Sequence, residues 1–130
     1  MKKPLKNNLF FAIAILLICV SCQDNKYKIL EAIAEETTKT CPQKMDEYTI
    51  LDSVVAKKDT LEFRYTLPAE LKGTAIDNPQ ELMKTGLIRN LKIAPSFQII
   101  EKLEAKIVHT YLYDDGGLFL QIIINPEDYK

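Results

Sequence analysis

At 130 residues, with 47% hydrophobic and 27% charged side chains, the chain has the size and composition of one folded domain. That composition excludes collagen-like, disulfide-dense and disordered chains. A formal net charge of −1 argues against a nucleic-acid binder.

At the N-terminus, Lys2, Lys3 and Lys6 precede an uninterrupted apolar run from Leu9 to Val20, which Ser21-Cys22 closes. The run is about a dozen residues, short of the roughly 20 that span a bilayer. Its order of basic, apolar and small residues is that of a secretory signal. A core helix would interleave polar side chains, and this run contains none. Residues 1–21 are therefore expected to be a signal peptide, 22–26 a tether and 27–130 a single domain.

Val20-Ser21-Cys22 resembles the lipobox of bacterial lipoproteins, in which a small residue precedes the acylated cysteine, although Cys19 stands where a branched aliphatic residue is usual. The resemblance implies lipidation of Cys22, and two or more acyl chains anchor stably. Gln23, where an aspartate would favour the inner membrane, points to the outer one. Gln23-Asp24-Asn25-Lys26 carries one acid rather than the acidic run of a surface-export signal, which points to the periplasmic face.

Cys19 leaves with the signal and Cys22 is alkylated, so the mature chain keeps Cys41 alone and forms no internal disulfide. With no His or Asn near it in sequence, Cys41 reads as a buried thiol rather than a nucleophile. The mature chain holds 14 basic against 18 acidic residues, a balance of −4. Anionic lipid and nucleic acid do not attract such a chain.

From Asn25 to Lys39, Ile29, Leu30, Ile33 and Ala34 recur at helical spacing, and Cys41-Pro42 ends the helix. Glu47 to Ala56 and Thr60 to Leu67 are rich in strand formers and flank Lys57-Lys58-Asp59, the pattern of a hairpin. Leu61, Phe63, Tyr65 and Leu67 alternate with Glu62, Arg64 and Thr66, so one face points inward.

Pro68 to Asn78 reads as a connector. Asn78-Pro79 then opens a helix through Leu82, Met83, Leu87 and Leu91, and Pro95-Ser96 opens a shorter one. Ala105 to Tyr113 and Leu118 to Asn125 flank Asp114-Asp115-Gly116-Gly117. Asp115-Gly116 suits a two-residue type I′ turn, which would set Tyr113 opposite Leu118, Tyr111 opposite Leu120 and His109 opposite Ile122. The expected fold is α+β: a four-stranded antiparallel sheet from two hairpins, with helices on one face, in the order α-ββ-αα-ββ.

The run from Cys41-Pro42 through Thr49 and Leu51-Asp52, with Tyr111, Tyr113-Asp114 and Gly116 near the end, resembles a widespread set of small secreted proteins and lipoproteins of Gram-negative bacteria. They share a "T-x-L-D" strand and a "Y-x-Y-x-D-x-x-G" hairpin. The resemblance implies fold and compartment, and no reaction.

Any imidazole chemistry rests on His109, the one histidine, placed mid-strand on the inward face. A two-residue turn at Lys58-Asp59 would set Asp52 opposite Tyr65, so Asp52, Tyr65 and His109 are expected to form a buried polar network. Tyr111 and Tyr113 read as core residues. The acids Asp114, Asp115, Glu127 and Asp128 lack the spacing of a calcium loop. No Cys/His cluster marks zinc, no glycine-rich loop marks phosphate, and Ser53 and Ser96 have no triad context. No enzyme, metal or cofactor is expected.

The other sheet face, with Glu62, Arg64, Thr66, Thr110, Leu112, Phe119 and Gln121, mixes apolar and polar groups as a protein-binding surface does. The expectation is a lipid-anchored envelope protein engaging a protein partner, for example as an immunity or inhibitor lipoprotein. The alternatives are a carrier of a small ligand and an accessory subunit of an envelope assembly.

Overall fold

The computed structural model describes residues 25–74 and 76–130. The expected signal peptide and the acylation site at Cys22 lie outside the described residues. Helix α1 (25–38) buries Leu30 and Ala34 and leaves Lys28, Glu35 and Glu36 exposed. After the cis Cys41–Pro42 peptide come strands β1 (Gln43–Lys44), β2 (Ile50–Lys57) and β3 (Thr60–Leu67). A single 3-10 turn (Ala69–Leu71) leads to helices α2 (Pro79–Ile93) and α3 (Phe97–Leu103). Strands β4 (Lys106–Tyr113) and β5 (Leu118–Ile124) follow, and helix α4 (Pro126–Tyr129) ends the chain.

The sheet has five strands in the order β1-β2-β3-β4-β5 and is mixed, which corrects the expected four antiparallel strands. β3 and β4 run parallel, in register from Thr60 opposite Lys106 to Leu67 opposite Tyr113. The cause is the length of the connection. Two helices carry the chain from one end of β3 back to the other, so β4 starts beside the start of β3. Backbone bonds fasten both ends of the seam: Lys106 N–H to the Asp59 carbonyl at 3.0 Å and Asp114 N–H to the Leu67 carbonyl at 2.8 Å.

Leu61, Tyr65, Ile107, Tyr111, Leu120, Ile122 and Ile124 form the inner face, which packs with Leu30, Ala34, Ile100 and Tyr129 of the helices. Sequence reading placed no element at α4, yet its Tyr129 is fully buried and its hydroxyl donates to the Ala105 carbonyl at 2.6 Å. A capping box of Asn125 and Asp128 opens this one-turn helix.

Two irregularities shift side chains from their expected faces. In β2, Leu51 lies opposite Tyr65 and Ser53 opposite Arg64, so Asp52 is the extra residue of a bulge. In the second hairpin only Gly116 of the pair Asp115-Gly116 has positive φ, at 92°. The type I′ turn needs it at both, so a longer turn forms: Gly116 N–H donates to the Tyr113 carbonyl at 2.9 Å and Tyr113 N–H to the Gly117 carbonyl at 2.7 Å. Leu112 then pairs with Leu118 rather than with Phe119.

β1 covers only Ile50 and Leu51 of β2, so the rest of β2 is a sheet edge. The Thr38 hydroxyl closes part of that edge. It accepts from Val54 N–H and donates to the Val54 carbonyl, both at 3.0 Å. Thr38→Val keeps the shape and removes both bonds, so it is expected to cost about 1–3 kcal/mol, read as a lower urea midpoint followed by circular dichroism. An unchanged midpoint refutes this role for Thr38.

Candidate functional site

The inner face carries an aromatic spine along the parallel seam. The rings of Phe63 and His109 stack at 4.9 Å, and those of Tyr65 and Tyr111 at 4.4 Å. The Tyr65 hydroxyl and His109 Nδ1 share a hydrogen bond of 2.8 Å. Asp52 does not join them. The bulge turns it to the outer face, where it is exposed and accepts a hydrogen bond from the Thr66 hydroxyl. The expected trio is thus a buried pair and a separate surface pair, because one extra residue inverts the face of a strand side chain.

On the outer face, Glu62 is the hub. It takes hydrogen bonds from Arg64 at 2.8 Å and Thr110 at 3.0 Å and faces Lys57 at 3.5 Å, while Gln121 donates to the Thr110 hydroxyl at 3.0 Å. Burial pushes the Glu62 carboxyl up, but these donors and the charges of Arg64 and Lys57 outweigh it and hold it below the ordinary range. Glu62, Arg64, Thr110 and Gln121 therefore satisfy one another. Beside them, Ile50, Thr66, Leu112 and Leu118 form a cross-strand row.

Phe119 is not on that face. It is the residue passed over between Leu118 and Leu120, and its ring meets Tyr113 edge-on at 5.7 Å against the core. With Tyr113 it lines a cleft of ≈ 490 Å³ at the head of the sheet. Leu67, Leu71, Ile76, Met83 and Tyr111 complete the apolar lining, and Asp46, Glu47 and Tyr48 stand at its rim.

Local chemistry builds each wall. The Asp46 carboxylate accepts the N–H groups of Tyr48 and Thr49, both at 2.8 Å, in a side-chain turn that fixes the Tyr48 segment. Opposite, Ala69 N–H donates to Asp114 at 3.0 Å, tying the turn before Leu71 to the hairpin tip. Lys72 pairs with Asp115 and lies 5.2 Å above the Tyr113 ring. Among the described residues the cleft lining holds two acids and no basic residue. Tyr48 and Ile76 are each about half exposed, at 49% and 50%.

Sequence reading missed this cleft. Its signal was the apolar Leu71 and Ile76 inside a segment read as a plain connector, together with Tyr48 inside one read as strand.

Neither His109 nor Cys41 lines the cleft. His109 lies in the spine, and the Cys41 thiol donates to the Thr37 carbonyl at 3.5 Å. Among the described residues no group of three or more His, Cys, Asp or Glu gathers as a metal site. Among them, too, no helix is long and apolar enough to cross a membrane.

The family model described as Domain of unknown function (DUF8479) matches residues 24–118. No curated protein matches in sequence. Three solved structures share the fold. A Pseudomonas aeruginosa protein described as secreted aligns at a TM-score of 0.72 with 12% identity, covering 83% of this chain and 96% of its own. The Vibrio vulnificus pilotin EpsS of the type 2 secretion system aligns at 0.67 with 10% identity, covering 83% and 94%. The Vibrio cholerae type II secretion system pilotin AspS aligns at 0.65 with 12% identity, covering 85% and 97%. At these identities the likeness is one of fold.

Burial lowers the His109 ring to about 4 from its ordinary 6.5, so it is neutral at pH 7. The unfolded chain binds a proton here below about pH 6.5 and the folded chain only near pH 4, so stability falls as pH drops through that window. The loss reaches about 2.5 kcal/mol by pH 4.5. Replacing both partners, Tyr65→Phe with His109→Phe, is expected to flatten the difference between urea stabilities at pH 7 and pH 4.5 by about that amount. An unchanged slope shows that His109 titrates normally.

Proposed function

We propose that this chain, which belongs to the DUF8479 family, is a non-catalytic protein of the bacterial envelope that holds a segment of another protein in the cleft at the head of its sheet. Acyl chains on Cys22 tether it to the periplasmic face of the outer membrane. The cleft carries this reading. It has an apolar floor and a half-exposed aromatic and aliphatic rim. An aromatic anchor with an apolar surround is how interface hot spots are built.

Charge selects the occupant. Asp46 and Glu47 are the charged residues of the lining, and Lys72 is engaged by Asp115 outside it. A partner segment with apolar side chains for the floor and a Lys or Arg at the rim complements both features. The outer face is the poorer candidate, because its polar groups already bond one another. The fold shared with two pilotins of type II secretion systems favours an accessory role in an envelope assembly over that of an immunity protein.

A photo-activated cross-linking residue at Ile76 of the full-length lipoprotein, expressed in its own cells, is expected to capture one protein. The same residue at Arg64 captures none. Tyr48→Ala is expected to reduce the Ile76 adduct about tenfold, as loss of an aromatic anchor does. Capture from Arg64 instead returns the contact to the outer face. A small apolar molecule co-purifying with the wild type and lost from Tyr48→Ala replaces the protein partner with a ligand.

A further inference from the structure

A second apolar surface shares no residue with the cleft's lining. Along α1, Ile29, Ala32 and Ile33 form a stripe at helical spacing beside Ile99 of α3, and together they line a groove of ≈ 650 Å³. Ile29 and Ile99 remain 40% and 45% exposed although large and apolar. The groove runs nearly the whole length of α1, from Asn25 to Thr37. It carries Lys28 near one end and Glu36 near the other.

Resting on the reading of Cys22 as an acylated anchor, we infer that this groove is a membrane seat. Held there, the stripe of α1 and Ile99 lies against the bilayer surface. Three peptide links separate Cys22 from Asn25, so their Cα atoms are at most about 11 Å apart. The first residue of α1 is therefore confined to the headgroup region whenever Cys22 carries lipid. Ile29 follows about 6 Å further along the helix and Ile33 about 12 Å, so tilting α1 onto the surface brings the whole stripe down.

An amphipathic helix seated this way sinks its apolar side chains about 5–10 Å into the headgroup and acyl boundary. Lys28 near the tethered end suits lipid phosphates, and Glu36 lies toward the far end, where the helix leaves the surface. A second protein would have to compete with a membrane that the anchor keeps within about 11 Å of the first residue of α1. The mature balance of −4 makes the tether necessary, since the head alone has no electrostatic attraction to anionic lipid.

The chain contains no tryptophan, so an introduced one is a clean reporter. Ile29→Trp, Ile99→Trp and Leu118→Trp, the last on the outer sheet face, each alter an exposed side chain. The full lipoproteins are reconstituted in phosphatidylethanolamine and phosphatidylglycerol vesicles, with or without bromine on the acyl chains. Emission at positions 29 and 99 is expected to fall about twofold with brominated lipid, as for a boundary-seated helix, and emission at 118 to stay unchanged.

If 29 and 99 respond no more than 118 while mass spectrometry finds the acyl chains on Cys22, the seat is wrong and the anchor stands. A chain without acyl mass overturns both. Tryptophans at 29 and 99 shielded from both brominated lipid and aqueous iodide mark a protein or a second copy in the groove and overturn the seat.

Discussion

The parallel seam between β3 and β4 is the interaction on which the rest of this structure depends. It joins two hairpins that would each be marginal alone. It also sets Phe63 beside His109 and Tyr65 beside Tyr111, so the largest inward side chains stack across it. The seam is possible because α2 and α3 return the chain across the sheet. Two of the helices that cover the inner face, α2 and α3, thus belong to the same segment that makes the parallel pairing.

From this follows the division of labour between the faces. The inner face is filled by rings and aliphatic chains, and two of its polar members, Tyr65 and His109, share a hydrogen bond. The outer face keeps its charges in a mutual ladder around Glu62, whose donors offset the desolvation of that carboxyl. Unmet apolar surface collects instead where the packing stops: at the head of the sheet, beyond the last pair of the seam, and along α1 beside α3.

The proposed tether and the proposed cleft contact would give these two surfaces separate tasks. On that proposal the start of α1 stands at the lipid, while the cleft belongs to the ends of β3 and β4 where the hairpin tip and the connector meet. A head so seated and so gripping would hold its partner at a set height above the membrane.

Much of this molecule was legible from residue order. Period-3.6 patterning determined α1, α2 and α3, and period-2 patterning determined β3, β4 and β5. Because burial of apolar side chains is written locally, Leu61, Tyr65, Ile107, Tyr111, Leu120, Ile122 and Ile124 fell on the inward face as their order implied, whereas Leu118 did not. What residue order left undecided were the features set by contacts distant in the chain. The parallel seam needed the return of two helices, and α4 needed the pocket that receives Tyr129. Two single-residue bulges carried Asp52 outward and Phe119 inward. Each bulge shifts side chains by one position in a two-residue period, so a small backbone irregularity that composition hardly marks decided where polar and apolar groups finally stand.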